Sequence, residues 1–152
     1  MKYVLAFLGV TAVLAVIGTI VIYSQNRKPQ IELGLVDGKL REIPEKPNCV
    51  STQTSQEDKL VAPMAFKDSL DATKEAFKQA LESYGDIEII EEEGNYLYAV
   101  ATTGLMKYHD DIEVYFDEDN QVIQFRSASR AGYSDMGLNK ERYEQIKTYY
   151  QQ

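Results

Sequence analysis

The sequence predicts an α+β protein that is held at a membrane by one N-terminal helix. Three observations predict it: an uncharged apolar run near the N-terminus, two helical patterns separated by strand-like runs, and turn signals that pair those runs. Helices segregated from an antiparallel sheet are typical of the α+β class. We therefore expect a single transmembrane helix, then a small domain with a four-stranded antiparallel sheet of two hairpins and two helices packed on it.

The apolar run, YVLAFLGVTAVLAVIGTIVIY, covers residues 3–23 and contains no charged residue. A helix of this length spans roughly 31 Å, which matches the hydrocarbon core of a bilayer. Tyr3 and Tyr23 lie at its two ends, where aromatic rings favour the membrane interface. We assign residues 1–23 to an uncleaved signal anchor, whose partner is the lipid bilayer. A cleaved signal peptide with its site at Val13–Ala15 is the alternative.

The expected topology rests on the short N-terminal tail. Lys2 and the free amine nearly balance Arg27 and Lys28 on the other side of the run, so the positive-inside rule decides little. A short tail favours an N-inside orientation. We expect a single-pass protein of the cell (inner) membrane, in which residues 24–30 form a linker. The soluble domain, residues 31–152, would face the periplasmic or extracellular side.

The chain after residue 23 is acidic. It holds 15 of the 16 Lys and Arg residues and all 24 Asp and Glu residues, a net charge of −9. Binding to nucleic acid needs clustered positive charge, so we expect no nucleic-acid partner. One cysteine and one histidine are too few for a zinc site, and no glycine-rich phosphate loop is present. We expect neither a metal nor a cofactor.

The first part of the domain predicts a hairpin, a loop and a helix. Asp37-Gly38 is a two-residue turn signal between short apolar segments. Residues 51–65 are predicted to be surface loop. Residues 67–85, KDSLDATKEAFKQALESYG, predict a helix capped by Asp68 or Ser69 and ended by Gly85. Its predicted inner face consists of Ala72, Ala76, Phe77, Ala80 and Leu81.

The second part predicts two hairpins and a final helix. Strand-like runs cover 87–93, 95–103, 111–118 and 121–130, and short polar turns separate the first two and the last two. Residues 139–152 predict a helix that Asn139 caps, with Tyr143, Ile146 and Tyr150 on its inner stripe. Both helices are expected on one face of the sheet, with residues 31–65 covering part of the other.

One stretch, RSASRAGYSDMGLN at 126–139, concentrates groups that bind ligands. Alternation along a strand puts Arg126 and Arg130 on one face, roughly 13 Å apart. Hydroxyl groups and a helix N-terminus follow, a combination that suits a phosphate or carboxylate. We therefore expect a module that binds an anionic or polar small ligand or headgroup, without a catalytic residue. The candidate binding residues are Arg126, Ser127, Ser129, Arg130, Ser134, Asp135 and Asn139, with Asn48 and Cys49 from a second segment.

Three other interpretations stay open. The arginines can instead pair with carboxylates, for which Asp110, Asp111 and Asp135 are the candidates. The domain can be an accessory module that contacts another membrane protein through an exposed apolar patch of Tyr133, Met136, Leu105 and Met106. An enzyme using Cys49 with His109 or Asp111 is the least favoured, and it requires a lowered cysteine pKa.

Four segments resemble the domain of unknown function 1499 family: GLVDGKL at 34–40, KPNCVST at 46–52, DDIEVYF at 110–116 and RSASRAGYSDMGLNKER at 126–142. The resemblance covers residues 33–150 and implies no reaction. It implies a small domain of bacterial and plastid proteins, often behind a signal or membrane segment. The recurrent positions that it implies are Pro47, Asn48, Cys49, Asp111, Arg126, Ser127, Ser129, Arg130, Gly132, Ser134, Asp135, Gly137, Asn139 and Arg142.

The resemblance also bears on the pairing of Cys49 and on the packing of two segments. Many members carry a second cysteine where this chain has Ile43, so the disulfide that such a pair would form is absent here. All the recurrent positions except Asp111 fall into two segments that are distant in sequence, 46–51 and 126–142. We expect these two segments to pack side by side.

Overall fold

A computed structural model describes residues 2–152 and shows a long apolar helix followed by an α+β domain. The order of elements agrees with the predicted class. The helices and strands are α1 (Lys2–Asn26), β1 (Leu35–Val36), β2 (Lys39–Leu40), β3 (Cys49–Ser51), a 3-10 helix (Glu57–Lys59), β4 (Met64–Ala65), α2 (Leu70–Tyr84), β5 (Ile87–Glu93), β6 (Tyr96–Thr102), β7 (His109–Asp117), β8 (Val122–Ser129) and α3 (Leu138–Gln151).

Helix α1 is long and apolar enough to cross a bilayer, judged by length and composition. No residue of its most apolar 18-residue window is buried inside the structure. An N-terminal signal sequence meets the same criteria. The helix ends at Asn26, so it continues three residues into the segment that was predicted to be a linker.

The main sheet has six strands, so the prediction of a four-stranded sheet is wrong. The four predicted strands are present as β5 to β8, paired antiparallel in sequence order. Two further strands, β3 and β4, both pair antiparallel with β8 and extend the sheet beyond it. A separate two-stranded sheet consists of β1 and β2.

The two missed strands lie in or beside the segment predicted to be surface loop. They are three and two residues long, too short to show the alternation that identifies a strand. Ser51, Val61 and Met64 are buried in this segment. The segment is therefore packed into the domain as part of the sheet and its edge.

The predicted hairpin at the start of the domain is confirmed. Asp37 and Gly38 both have positive φ, 50° and 73°, as the two central residues of a type I′ turn require. Strands β1 and β2 pair on either side of this turn. The hairpin region lies over the sheet face opposite the helices, because main-chain oxygens of Glu32 and Arg41 accept hydrogen bonds from Arg126 of β8.

Helices α2 and α3 pack on one face of the sheet, as predicted. The core between them contains Phe77 and Leu81 of α2 and the predicted stripe of α3, Tyr143, Ile146 and Tyr150. From the sheet it takes alternate residues of β6, β7 and β8. Ser69 caps α2, as predicted, by accepting a hydrogen bond from the Ala72 N–H, 3.1 Å. The prediction that Ala72 belongs to the inner face of α2 is wrong, because its side chain is exposed.

Helix α3 begins at Leu138, and its N-cap is Gly137, two residues before the predicted cap Asn139. The prediction that Asn139 caps this helix is therefore wrong. Asp135 supplies the capping carboxylate instead: its oxygens accept hydrogen bonds from the main-chain N–H groups of Gly137, 3.0 Å, and Asn139, 2.8 Å. Asn139 is left free to turn its side chain into the sheet.

Candidate functional site

The two segments that carry the recurrent positions lie side by side, as expected. Strand β3 pairs with β8 so that Cys49 is opposite Ala128 and Ser51 is opposite Arg126. Strand β7 pairs with the other side of β8 and places Glu113 opposite Arg126. Strand β8 is therefore the centre of the candidate region.

Arg126 is buried in an ion pair with Glu113. Its Nε donates to Glu113 Oε2 at 2.6 Å, and both side chains are 1% exposed. Its Nη2 donates to the same carboxylate oxygen and to the Glu32 main-chain oxygen, 2.7 Å, and its Nη1 donates to the Arg41 main-chain oxygen, 3.0 Å. The other carboxylate oxygen of Glu113 accepts from the Tyr96 hydroxyl, 2.8 Å. This guanidinium is fully used within the domain.

Arg130 lies on the same face as Arg126, as alternation predicted, and it is also paired. Its Nε and Nη2 donate to Asp111 Oδ1 at 2.9 and 2.8 Å. The Tyr98 hydroxyl donates to the same carboxylate oxygen at 2.7 Å. Burial, followed by this hydrogen bond to Asp111, raises the pKa of Tyr98, which keeps the phenol protonated as a donor.

A third buried pair lies on the helix face of the sheet. Arg142 of α3 donates to Asp110 Oδ2 at 2.6 Å, and each side chain is 2% exposed. The sequence named Asp110 and Asp111 as carboxylates for pairing but missed Glu113. The signal was available, because Asp111 and Glu113 are two residues apart on β7 and so share the face of Arg126 and Arg130.

Asn139 is the centre of a polar network between α3 and the sheet. Its Nδ2 donates to the Ser129 hydroxyl, 2.9 Å, to the Asn48 main-chain oxygen, 3.1 Å, and to Asp135 Oδ2, 2.8 Å. Its Oδ1 accepts from the Ser127 hydroxyl and from Arg142. Three of the predicted site residues, Ser127, Asn48 and Asn139, therefore join elements of the fold.

A cavity of about 310 Å³ opens beside the start of α3. It lies between the loop that joins β6 to β7 and the loop that joins β8 to α3. Seven of its ten lining residues belong to the 126–139 stretch. The lining residues are Thr103, Tyr108, Asp110, Ser129, Ala131, Gly132, Ser134, Asp135, Met136 and Leu138.

Three hydroxyl groups of the lining act only as acceptors among residues 2–152. The Thr103 hydroxyl accepts from the Tyr108 N–H at 2.9 Å, the Ser134 hydroxyl from the Met136 N–H at 3.2 Å, and Ser129 from Asn139. Each hydroxyl also carries one proton that it can donate. The cavity thus offers O–H donors, while the carboxylates of Asp110 and Asp135 are engaged with Arg142 and the N-terminus of α3.

Cys49 is buried away from this cavity. Its thiol donates to the main-chain oxygens of Lys46, 3.3 Å, and Pro44, 3.5 Å. Burial raises its pKa, opposite to the lowered pKa that a nucleophilic cysteine requires. Ile43 packs in the same small cluster as Cys49, which is where the family resemblance places a second cysteine.

His109 lies at the junction between α1 and the domain. Its main-chain N–H donates to Asn26 Oδ1, 2.7 Å, and Asn26 Nδ2 donates to the Lys107 main-chain oxygen, 2.7 Å. Arg130 also reaches the Asn26 main-chain oxygen, 3.4 Å. Sequence reasoning treated residues 24–30 as a linker and missed this junction, because nothing in the sequence marks a contact between Asn26 and a loop 81 residues later.

The predicted site residues therefore fall into separate groups. Ser129, Ser134 and Asp135 line the cavity. Arg126 and Arg130 are paired on the opposite face of the sheet from α3, and Ser127, Asn48 and Asn139 connect α3 with the sheet. Cys49 lines a smaller cavity of about 120 Å³ together with Asp135.

Comparison with known proteins gives a family. A family model described as "Protein of unknown function (DUF1499)" matches residues 39–149, which is most of the domain and includes all the recurrent positions. No curated protein matches the chain. No solved structure matches it either.

Proposed function

The chain belongs to the DUF1499 family, and we propose that it is a membrane-anchored module that binds a small uncharged polar ligand. The observation that carries this proposal is the cavity beside α3. Most of its lining comes from the 126–139 stretch, while the arginines of that stretch hold the sheet together. The same motif therefore supplies both a rigid frame and the wall of a cavity.

The chemistry of the lining supports an uncharged ligand with acceptor oxygens. Thr103, Ser129 and Ser134 each have a hydroxyl proton to donate. The cavity has two carboxylates and no lysine or arginine in its lining. The guanidinium groups that supported an anionic ligand are both paired with buried carboxylates. We therefore narrow the ligand class to neutral hydroxyl, ether, ester or amide compounds.

The anchor is the second part of the proposal. Helix α1 has the length and composition of a membrane span, and its large apolar side chains, as far as the structure describes them, are exposed. Its Asn26 is tied to the domain by hydrogen bonds to Lys107 and His109. We propose that the domain sits directly on the membrane, on the periplasmic or extracellular side.

Native mass spectrometry of the full chain, extracted mildly from its own membranes, tests the ligand proposal. Ala131 lines the cavity, so Ala131→Phe fills part of it. Ala72→Phe adds the same side chain at an exposed position of α2 and is the matched control. The proposal predicts a bound species of constant mass on the wild type and on Ala72→Phe, and its loss from Ala131→Phe. A clean apo mass for the wild type, or equal binding by Ala131→Phe with an unchanged melting temperature, contradicts it.

A further inference from the structure

Four exposed apolar side chains lie on the two loops that border the cavity. Leu105 and Met106, on the β6–β7 loop, are 93% and 62% exposed. Tyr133 and Met136, on the β8–α3 loop, are 72% and 99% exposed. We call these four residues the loop-tip patch. The two loops are neighbours, because Tyr108 of the first and Met136 of the second line the same cavity.

The β6–β7 loop lies beside the last turns of α1. Met106 and Tyr108 form a groove with Thr19, Ile22 and Tyr23 of that helix. Thr19 precedes Tyr23 by four residues, which is about 6 Å along a helix axis. Asn26 holds the loop in this place through hydrogen bonds to Lys107 and His109. Met106 is therefore at the same level along α1 as residues inside the uncharged run 3–23.

Both ends of the domain carry basic and acidic residues, but the two acidic runs lie at one end only. Arg27, Lys28 and Lys107 lie at the end where α1 meets the loops, together with Asp86 and Asp135. The acidic runs 91–93 and 117–119 lie at the opposite end, where the β5–β6 and β7–β8 turns meet through a hydrogen bond from Asn95 to Glu118, 2.6 Å. Basic residues beside apolar ones favour contact with a membrane surface, and acidic residues disfavour it.

We infer that the loop-tip patch is a second membrane contact, which inserts into the bilayer interface next to α1. Its partner is lipid, because the patch continues the apolar surface of α1 at the level of Thr19–Tyr23. The contact fixes the tilt of the domain and turns the cavity beside these loops toward the membrane surface. The inference shares the anchor with the proposed function, but it stands whether or not the cavity binds a ligand.

Tryptophan fluorescence in lipid nanodiscs tests this inference. The chain has no tryptophan, so Leu105→Trp and Met136→Trp each introduce a single reporter into the full-length protein. Asp119→Trp, at an exposed position in the opposite turn, is the control. In nanodiscs whose phosphatidylcholine carries bromine on the acyl chains, both patch reporters should be quenched relative to unbrominated lipid, because interfacial apolar side chains reach about 5–10 Å into the boundary between headgroups and acyl chains. Asp119→Trp should lose almost none of its emission.

Two results overturn the inference. Patch reporters that emit as from water and are quenched no more than Asp119→Trp, in variants that melt like the wild type, show that lipid does not cover the patch. If the same reporters emit as from water in nanodiscs but emit as from an apolar environment in native membranes, a protein partner covers the patch instead of lipid. The ligand proposal is tested separately, by the mass of the bound species in native mass spectrometry. Either proposal can therefore fail without the other.

Discussion

Asn139 and Asn48 lie 91 positions apart, yet Asn139 Nδ2 donates a hydrogen bond of 3.1 Å to the main-chain oxygen of Asn48. This bond connects the first turn of α3 with the residue before β3. It lies next to the cavity, because the same amide also binds Ser129 and Asp135, two lining residues. The position of the cavity wall therefore depends on a side chain that does not line it.

Asn139→Asp should destabilise the domain. The substitution keeps the shape of the side chain. It replaces the amide nitrogen, which donates to three acceptors, with a carboxylate oxygen that faces Asp135 Oδ2. Because buried acceptors lose their partner, the free energy of unfolding should fall by about 2–4 kcal/mol. Denaturation in detergent, followed by circular dichroism, measures it. Lys140→Ala, at the exposed next position, should change stability by less than about 0.5 kcal/mol, and an equally small change for Asn139→Asp contradicts the role of the network.

Arg126→Met should be among the most destabilising substitutions in the chain. It leaves the Glu113 carboxylate buried without its cation, and breaking such a pair costs about 3–5 kcal/mol. The same substitution at Arg41 breaks a pair with Glu32, which is 81% exposed, and should cost about 1 kcal/mol or less. Urea titration of the two variants compares them directly. Similar losses for both would mean that the Arg126 pair has no special structural role.

Cys49 should resist alkylation in the folded chain. Burial raises the pKa of its thiol, and the thiolate is the form that reacts. Iodoacetamide near neutral pH should leave the native protein unmodified for hours and modify it in urea within minutes. Mass spectrometry gives the modified fraction. Rapid modification of the native chain would restore the enzyme interpretation that the sequence left open.

Stability should decrease at alkaline pH, and Tyr143 should contribute to the decrease. Burial raises the pKa of Tyr143 to about 12, compared with about 10 in an unfolded chain. Between these values the unfolded state has lost the proton and the folded state retains it, so the stabilisation is complete below about pH 10 and is lost as pH rises toward 12. Tyr143→Phe should be less stable at neutral pH, because the hydrogen bond to Ala62 is lost, and its stability should fall less steeply above pH 10. A slope equal to the wild type's would contradict this assignment.

The elements with strong periodicity were predictable from the sequence. Strands β5 to β8, both domain helices and the Asp37-Gly38 turn carry alternation, a 3.6-residue period or turn residues of their own. The pairing of segment 46–51 with 126–130 was also expected, from the recurrent positions. Strands β3 and β4 were missed because their two or three residues are strands only by virtue of pairing with β8.

The sequence identified the 126–139 stretch and placed Arg126 and Arg130 on the sheet face away from the core. It left open whether these arginines bind a ligand or pair with carboxylates, and the structure shows both of them paired. It also placed Asn139 as a cap, whereas the start of α3 at Leu138 turns that amide into the sheet. The N-cap is Gly137, two residues before the predicted cap; each residue of a helix turns the side-chain direction by about 100°, and local sequence does not resolve such a difference.

We propose that the cavity beside α3 holds a ligand. The most direct measurement is an electron-density map of the wild-type chain, purified from its own membranes without removal of bound lipid or small molecules. We expect density for an uncharged molecule whose oxygens accept hydrogen bonds from the hydroxyl groups of Ser129 and Ser134. A cavity that contains only separate water molecules, in a map that resolves the surrounding side chains, would contradict it.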